Sequence, residues 1–521
     1  MKRIVAVLLS IICLLTCACG KENVSSIANA VDDNYRNYYE IFVYSFADSD
    51  EDGIGDLKGV QDHLDYIEDL GCNGIWLMPI MPSTTYHKYD VTDYYDIDEQ
   101  YGTLEDFDSL VDECHARKIR LIIDLVMNHT SSKHPWFMQA KEYLKTLGPD
   151  ETMDASVCPY VNYYHFSKEK ENNSWCQLAG TDYYYEAQFW SEMPDLNLAD
   201  NNVRSEFENI ASFWLEHGVD GFRMDAPLHF EEGDSEFNYN TLKWFNEYCI
   251  SINPDFYMVS EVWASKDKIA EYYKSESASM FDFSIADAEG DIIKTAKGKE
   301  SAEKFVNKIL SNEETYSENY SNCINAPFIT NHDMGRVANA LQSNEDDIKM
   351  AGALLLSLGG SPYIYYGEEL GMKSKGKKDE NKRLPIIWEE GAIENCTGPN
   401  EADSDVEQVF DAAIVQQNDA DSIYFLYKKC NEIRNNYPEI ARGKLSIITE
   451  LTCDDIAVTL RSWNDDEILI IYNTGTESQV LDLGGIIDKK AKIVGDICIG
   501  DSAALNKGEL KIGGKSIVYI K

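Results

Sequence analysis

The chain has 521 residues, 44% of them apolar and 12% aromatic, and 91 acidic side chains against 46 basic ones give a formal charge of −45. That length and apolar content allow two or three domains with a large core and exclude a disordered or fibrous protein. The acidic excess argues against nucleic acid, whose affinity rests on Lys and Arg neutralising phosphates, and against adsorption to an anionic membrane face; a neutral substrate held by hydrogen bonds and aromatic stacking fits better.

Lys2 and Arg3 precede an apolar run from Ile4 to Thr16, followed by Cys17-Ala18-Cys19-Gly20. A basic start, a short apolar centre and small residues at its end read as an export signal, too short to be a comfortable permanent span. Cys19 after Ala18 resembles the bacterial lipoprotein processing site, although Thr16 stands where Leu is usual and Cys17 is a second candidate. The expectation is a signal peptide over residues 1–19, a polar tether over 20–34, and an exported, cell-surface protein anchored by lipid on Cys19, with ordinary secretion as the alternative. Ten of the thirteen cysteines lie beyond this leader, singly, without metal-ligand spacing such as C-x-x-C. Export permits disulfides; Cys158 and Cys176 are close enough in sequence to close a local loop, but the pairing stays open.

Short apolar runs then alternate with helical stretches: Glu40–Phe46, Gly74–Met78, Ile119–Val126, Val219–Met224, Phe256–Ser260, Met280–Ile285, Ala326–Thr330 and Pro362–Tyr366. Continuous apolar strands separated by helices indicate a parallel sheet covered on both faces, and eight of them suggest a (β/α)8 TIM barrel. A doubly wound open sheet is the alternative. About 90 residues separate the third and fourth runs, too many for an ordinary loop, so 130–200 reads as an inserted domain between barrel segments 35–129 and 201–441. From 442 to 521 alternating strands such as Ile456–Leu460, Glu467–Tyr472 and Ser516–Ile520 follow without helices, an antiparallel β domain.

Four of the runs deliver polar groups at their C-terminal ends: Asp124 with Asn128 and His129, Arg223 with Asp225, Glu261, and His332 with Asp333. Barrel active sites sit at that end. Arg223 and Asp225 are two apart and share a strand face, where the guanidinium favours the ionised carboxylate. Three of these four carboxylates, with an Arg and two His, suit glycosidic-bond cleavage, which needs one carboxylate as nucleophile and one protonated carboxyl for the leaving oxygen. No G-x-S-x-G elbow and no full G-x-x-x-x-G-K-S/T phosphate loop competes.

The set DLVMNH, GFRMDA, SEVW and TNHD, supported by GIWLMPIMPS, YHKYDVTDYYDID, MPDLN and GGSPYIYYGEELGM, resembles the α-amylase family, glycoside hydrolase family 13, over essentially the whole chain after the leader. The resemblance implies a (β/α)8 barrel, an inserted domain after strand three and a C-terminal β-sandwich. It makes Asp225 the nucleophile, Glu261 the acid/base and Asp333 the transition-state stabiliser. Arg223 would orient Asp225, His129 and His332 would bind sugar hydroxyls, and Tyr89 would stack on the ring. Glu261 must be the carboxyl whose pKa is raised, with Trp263 expected to supply apolar surroundings. The loop Asp48-x-Asp50-x-Asp52-Gly53-Ile54-Gly55-Asp56 has acids on alternate positions before a Gly, like the first half of an EF-hand loop. The resemblance implies Ca2+ there, on the four Asp and the Ile54 carbonyl, and allows a second Ca2+ on Asn128, Asp195 and the His229 carbonyl.

Within the family, MPDLN is similar to the intermediary group that contains bacterial α-amylases. Ala226 stands where α-1,6-specific relatives usually have Val, which favours α-1,4 bonds, while Leu228 replaces a Lys that many α-amylases place on the aglycone side. Asp90 with Arg383 is the candidate clamp for a non-reducing end, as in exo-acting α-glucosidases. The expected substrate is starch, maltodextrin or a related α-glucan, cut internally. An exo-glucosidase, an oligo-1,6-glucosidase or neopullulanase-like enzyme, and a non-catalytic glucan-binding lipoprotein are the alternatives. The last would have lost acids that Asp225, Glu261 and Asp333 retain.

Overall fold

A computed structural model describes residues 29–403 and 406–521; the predicted leader, Cys19 and residues 20–28 of the tether lie outside them. Seven strands form one parallel sheet: β1 (Tyr38–Ile41), β2 (Gly74–Leu77), β3 (Arg120–Leu125), β4 (Gly221–Met224), β5 (Tyr257–Ser260), β6 (Ser279–Met280) and β7 (Tyr363–Tyr365). Their order is β7-β1-β2-β3-β4-β5-β6. Parallel bridges from Phe281 to Ala326 and from Phe328 to Tyr363 seat residues 326–328 between β6 and β7. That closes the ring as a barrel and removes the open-sheet alternative.

Period-two alternation sorts the side chains of each strand between two cores. Tyr38, Trp76, Ile122, Tyr257, Val259, Phe281, Phe328 and Tyr363 form one compact buried cluster inside the barrel, whereas Tyr39, Ile41, Ile75, Leu77 and Ile123 belong to the large core under the surrounding helices. Two residues beyond three of these inward positions the same face carries an acid: Glu40 after Tyr38, Asp124 after Ile122, Glu261 after Val259. Registry then sets neighbours, with Asp124 beside Arg223 and Glu40 beside Trp76. Gly221 opens β4 because a Cβ there would stand 1.9 Å from the Tyr257 carbonyl oxygen.

Every expected strand is shorter than its apolar run, and Ala326–Thr330 pairs only through single bridges. The run Glu40–Phe46 leaves the sheet after Ile41 and turns through a 3-10 segment, Val43–Ser45; Met280–Ile285 pairs only through Met280, the last residue of β6, and the Phe281–Ala326 bridge. The covering helices show the expected apolar stripe. Leu104–Ala116, for example, buries Phe107, Leu110, Val111 and Cys114 and starts in a Thr103/Asp106 capping box.

Between β3 and β4 the chain forms helix Pro135–Thr146 and a three-stranded sheet, Phe166–Ser167, Tyr184–Glu186 and Trp175–Gln177. After the barrel, a five-stranded antiparallel sheet (444–447, 456–463, 466–473, 516–520, 493–498) faces a three-stranded one (479–482, 509–512, 504–506). Ile456, Val458, Leu469, Ile471, Val518 and Ile520 fill the space between them with Leu510 and Ile512. The alternate residues Ala457, Ile468, Ile470, Tyr472, Ile517 and Tyr519 join the barrel-side core instead. The ten cysteines of the described residues are all unpaired, Cys158 and Cys176 included.

Candidate active site

Arg223 is the hub of the barrel's C-terminal end. Its Nη1 donates to both oxygens of Asp124, at 2.9 and 3.0 Å, and to Oδ1 of Asp225 at 2.7 Å. Its Nη2 lies 2.8 Å from Oε2 of Glu261. The guanidinium is 1% exposed and its centre sits 5.2 Å from the Trp76 ring. Three carboxyls on one fixed fork are held within a few ångströms of one another.

A second cluster joins from the opposite strands. His332 places Nδ1 2.6 Å from Oε1 of Glu40 and Nε2 3.1 Å from Oδ2 of Asp333. The Tyr89 hydroxyl is 2.8 Å from the same Nε2 and donates to Oδ2 of Asp124 at 3.0 Å. Arg383 donates from Nη2 to Oδ1 of Asp333 (2.8 Å), from Nη1 to the Tyr86 hydroxyl (3.0 Å) and from Nε to the His332 carbonyl (3.2 Å).

Protonation follows from these contacts. Burial alone disfavours the His332 cation, but Asp333 and Glu40 reverse this and carry its pKa from 6.5 up to about 9, so the ring donates from both nitrogens near neutral pH. Burial raises Asp333, and His332, Arg383 and Arg223 more than offset it, leaving the carboxyl well below its usual range. Around Arg223 one positive charge faces three carboxyls, too few for all to be ionised when desolvated. Burial, opposed by Arg223 and reinforced by Asp225, raises both Asp124 and Glu261 to about 7. The hydrogen bonds decide between them. Both oxygens of Asp124 accept from Arg223, and the Tyr89 hydroxyl adds a third donor. Glu261 uses only Oε2, for Arg223 and the Ala226 N–H (3.2 Å), and keeps Oε1 for the proton. Ala226 aims that N–H from a left-handed backbone, φ +47°, a conformation uncommon for a residue with a Cβ.

His129 stays neutral, because burial lowers its pKa against the opposing charge of Asp225; its Nε2 is buried without a hydrogen-bond partner beside the half-exposed ring of Phe189, 5.4 Å away. Asp90 does not reach the cluster. It is fully buried, and Ser83, Thr84, Thr85 and Ser131 donate hydroxyls to its two oxygens. The carboxylate therefore ties its own loop together and is not presented to a sugar. All three Arg383 nitrogens are engaged as well, with Asp333, Tyr86 and the His332 carbonyl. Trp263 does not shield Glu261: it is half exposed and stacks on Phe283 at 5.0 Å. Glu261 is desolvated instead by lying at the top of the barrel's packed interior. The residue that sequence reading missed is Glu40, a buried acid at the end of β1; an ionisable group at an inward position of an otherwise apolar run was the available signal.

In the loop after β1, Asp48, Asp50 and Asp56 bring carboxylate oxygens within 4.8 Å of one another, and Gly53 makes the sharp turn at φ +91°. An all-oxygen donor set on such a turn fits a hard cation such as Ca2+. Asp52 stands outside the group of three and accepts the Ile54 N–H at 2.7 Å. At the other predicted cation site, Asn128 Nδ2 is 3.3 Å from Asp195 Oδ1, the Asn128 oxygen has no partner, and burial raises Asp195 to about 8.

A parallel barrel whose C-terminal end holds paired carboxyls of unlike protonation, braced by an Arg and a His–Asp pair, defines a glycoside hydrolase. The family model "Alpha amylase, catalytic domain" matches residues 40–443. "Alpha-amylase 3" of Dictyoglomus thermophilum is 38% identical over 501 residues, 94% of this chain and 93% of that protein. The solved structure of Eubacterium rectale Amy13B superposes with a TM-score of 0.92 at 42% identity, covering 95% of this chain and 96% of its own. The oligo-1,6-glucosidase of Bacillus cereus is 28% identical over 85% of this chain and 91% of its own. The chain belongs to the α-amylase family, glycoside hydrolase family 13, and is a glycoside hydrolase acting on α-glucans.

Proposed function

We propose that this enzyme is an endo-acting α-amylase that cleaves α-1,4 bonds of starch and maltodextrins with retention of configuration. The observation that carries the reading is the Arg223 fork, which grips Asp225 at 2.7 Å and Glu261 at 2.8 Å side by side, while burial raises the Glu261 carboxyl to about 7. Retention needs two carboxyls about 5–5.5 Å apart, and a shared guanidinium sets that scale. Asp225, held by Arg223, attacks the anomeric carbon as Glu261 passes its proton to the departing glycosidic oxygen, giving a covalent glycosyl-enzyme. Glu261, now a carboxylate, takes a proton from the water that hydrolyses the ester, which restores both groups. Asp333, kept ionised by His332 and Arg383, binds hydroxyls of the flattening ring. His129 offers its unpartnered Nε2 to the same sugar, and Tyr89 supplies an aromatic face.

Endo action is supported by the caged Asp90 and the fully engaged Arg383, which leave no clamp for a chain end, and Ala226 supports α-1,4 preference. Ca2+ held by Asp48, Asp50 and Asp56 would brace the loop after β1 and takes no part in bond cleavage. The leader pattern ending at Cys19 supports action at the cell surface. The test is Asp225→Asn with a product profile on amylose, pullulan, isomaltose and p-nitrophenyl-α-glucoside. The wild type should give a maltooligosaccharide ladder from amylose, and the variant none. Glucane ends released as glucose alone would make the enzyme exo-acting, and isomaltose cleavage would reject the α-1,4 reading.

A further inference from the structure

At the barrel's other end, where β1, β7 and residues 326–328 begin, a cavity of about 370 Å³ opens between the barrel floor and the five-stranded C-terminal sheet. Its volume lies within the range of small-molecule sites, about 300–1,000 Å³. Tyr35, Glu313 and Asn325 line it from the barrel, Arg442 and Arg461 from the C-terminal side. Asn325 and Arg461 are 8% and 2% exposed, and each leaves a buried polar atom without a partner: the Asn325 side-chain oxygen and the Arg461 Nε–H. One is an acceptor in want of a donor, the other a donor in want of an acceptor. Leaving either unmet is costly.

The two arginines here are already paired, and the other charged lining residues, Glu314 and Lys444, are exposed to solvent. Arg461 pairs with Glu313 at 2.8 Å and Arg442 with Asp33 at 2.6 Å. An anion would leave the Asn325 oxygen unmet and a cation the Arg461 Nε–H, whereas a hydroxyl group, donor and acceptor at once, answers both. Tyr35, with the Arg442 guanidinium 4.9 Å from its ring centre, adds an aromatic wall. We propose that this cavity is a second, non-catalytic saccharide site that takes a neutral polyhydroxylated ligand. That the ligand is an α-glucan unit rests on the proposed function; the need for hydroxyls rests on the lining alone. The site faces away from Asp225, so it would anchor a chain without occupying the catalytic end.

Ser317, an exposed residue on the rim, is the position at which to close it. Calorimetric titration of the non-hydrolysing Asp225→Asn enzyme with maltotriose should give two sites per chain, and Asp225→Asn/Ser317→Trp one. Ser317→Trp alone should keep the wild-type circular dichroism and hydrolysis of a short chromogenic maltoside. A single site that Ser317→Trp leaves intact overturns the inference while sparing the catalytic reading. A single site that Ser317→Trp abolishes keeps the inference and overturns the catalytic one. Phosphate that binds in a Ser317→Trp-sensitive manner when maltotriose does not makes the cavity an ion site and overturns the proposal.

Discussion

Glu261→Gln separates what the buried proton does for catalysis from what it does to the fold. In the folded protein the Glu261 carboxyl titrates near 7 instead of 4.5, chiefly because it is buried. At about 1.36 kcal/mol per unit this difference amounts to roughly 3 kcal/mol. Between pH 4.5 and 7 the native state keeps a proton that the unfolded chain has released, so unfolding becomes easier as pH rises through that window. The contribution is complete below 4.5 and gone by about 7. Gln does not titrate, so the stability of Glu261→Gln relative to wild type should increase by roughly 3 kcal/mol from pH 4 to pH 8. Comparing the two pH values cancels the constant cost of the weaker bond to Arg223. Denaturant titrations of both proteins at each pH measure it. In the same variant hydrolysis of unactivated maltosides should fall by about 10²–10⁴, the usual contribution of a general acid, with a smaller loss for substrates whose leaving group needs no protonation. The alkaline limb of kcat/KM, expected near 7 in the wild type, should vanish. A limb that persists in Glu261→Gln, together with a pH-independent stability difference, would refute the proton's placement and move it to Asp124.

Glu40→Gln removes the anion behind His332, whose pKa should drop from about 9; loss of a charge-assisted hydrogen bond worth about 1.5–3 kcal/mol should lower kcat by about 10- to 100-fold, and NMR titration of the ring checks the cause. Because a raised His pKa stabilises below 6.5 and ceases to do so as pH passes 9, the stability gap between wild type and Glu40→Gln should narrow across that interval. Asp90→Asn should cost about 1–3 kcal/mol of stability by leaving donors of its hydroxyl cage mismatched, with KM for maltooligosaccharides unchanged; a raised KM would restore Asp90 to substrate binding. Chelation should lower the melting temperature, Ca2+ should restore it better than Mg2+, whose octahedral demand the loop meets less well, and Asp48→Asn should abolish the dependence.

What could be read from the sequence and what could not divide along physical lines. Asp124, Arg223, Asp225 and Glu261 were legible because each ends an apolar run, and period-two alternation in a barrel sends such residues to one common place. Glu40 obeys the same alternation, two residues after Tyr38, yet its meaning depends on His332, 292 residues away. Its inward position was legible, but no local feature names the histidine it supports. Asp90 shows the opposite case: the resemblance offered it with Arg383 as a clamp for a chain end, while the hydroxyl run Ser83-Thr84-Thr85 that cages it stands only five to seven residues earlier. A short-range hydroxyl cluster competes for a carboxylate at little entropic cost, and it wins before any substrate arrives. Trp263 shows that adjacency in sequence does not supply burial, since a residue three beyond a strand's end is free to turn outward onto Phe283. The positions that decide whether this site accepts internal segments or chain ends are therefore set by loops, where Asp90 and Arg383 are already spoken for, and the strands supply the cleavage chemistry that both kinds of enzyme share.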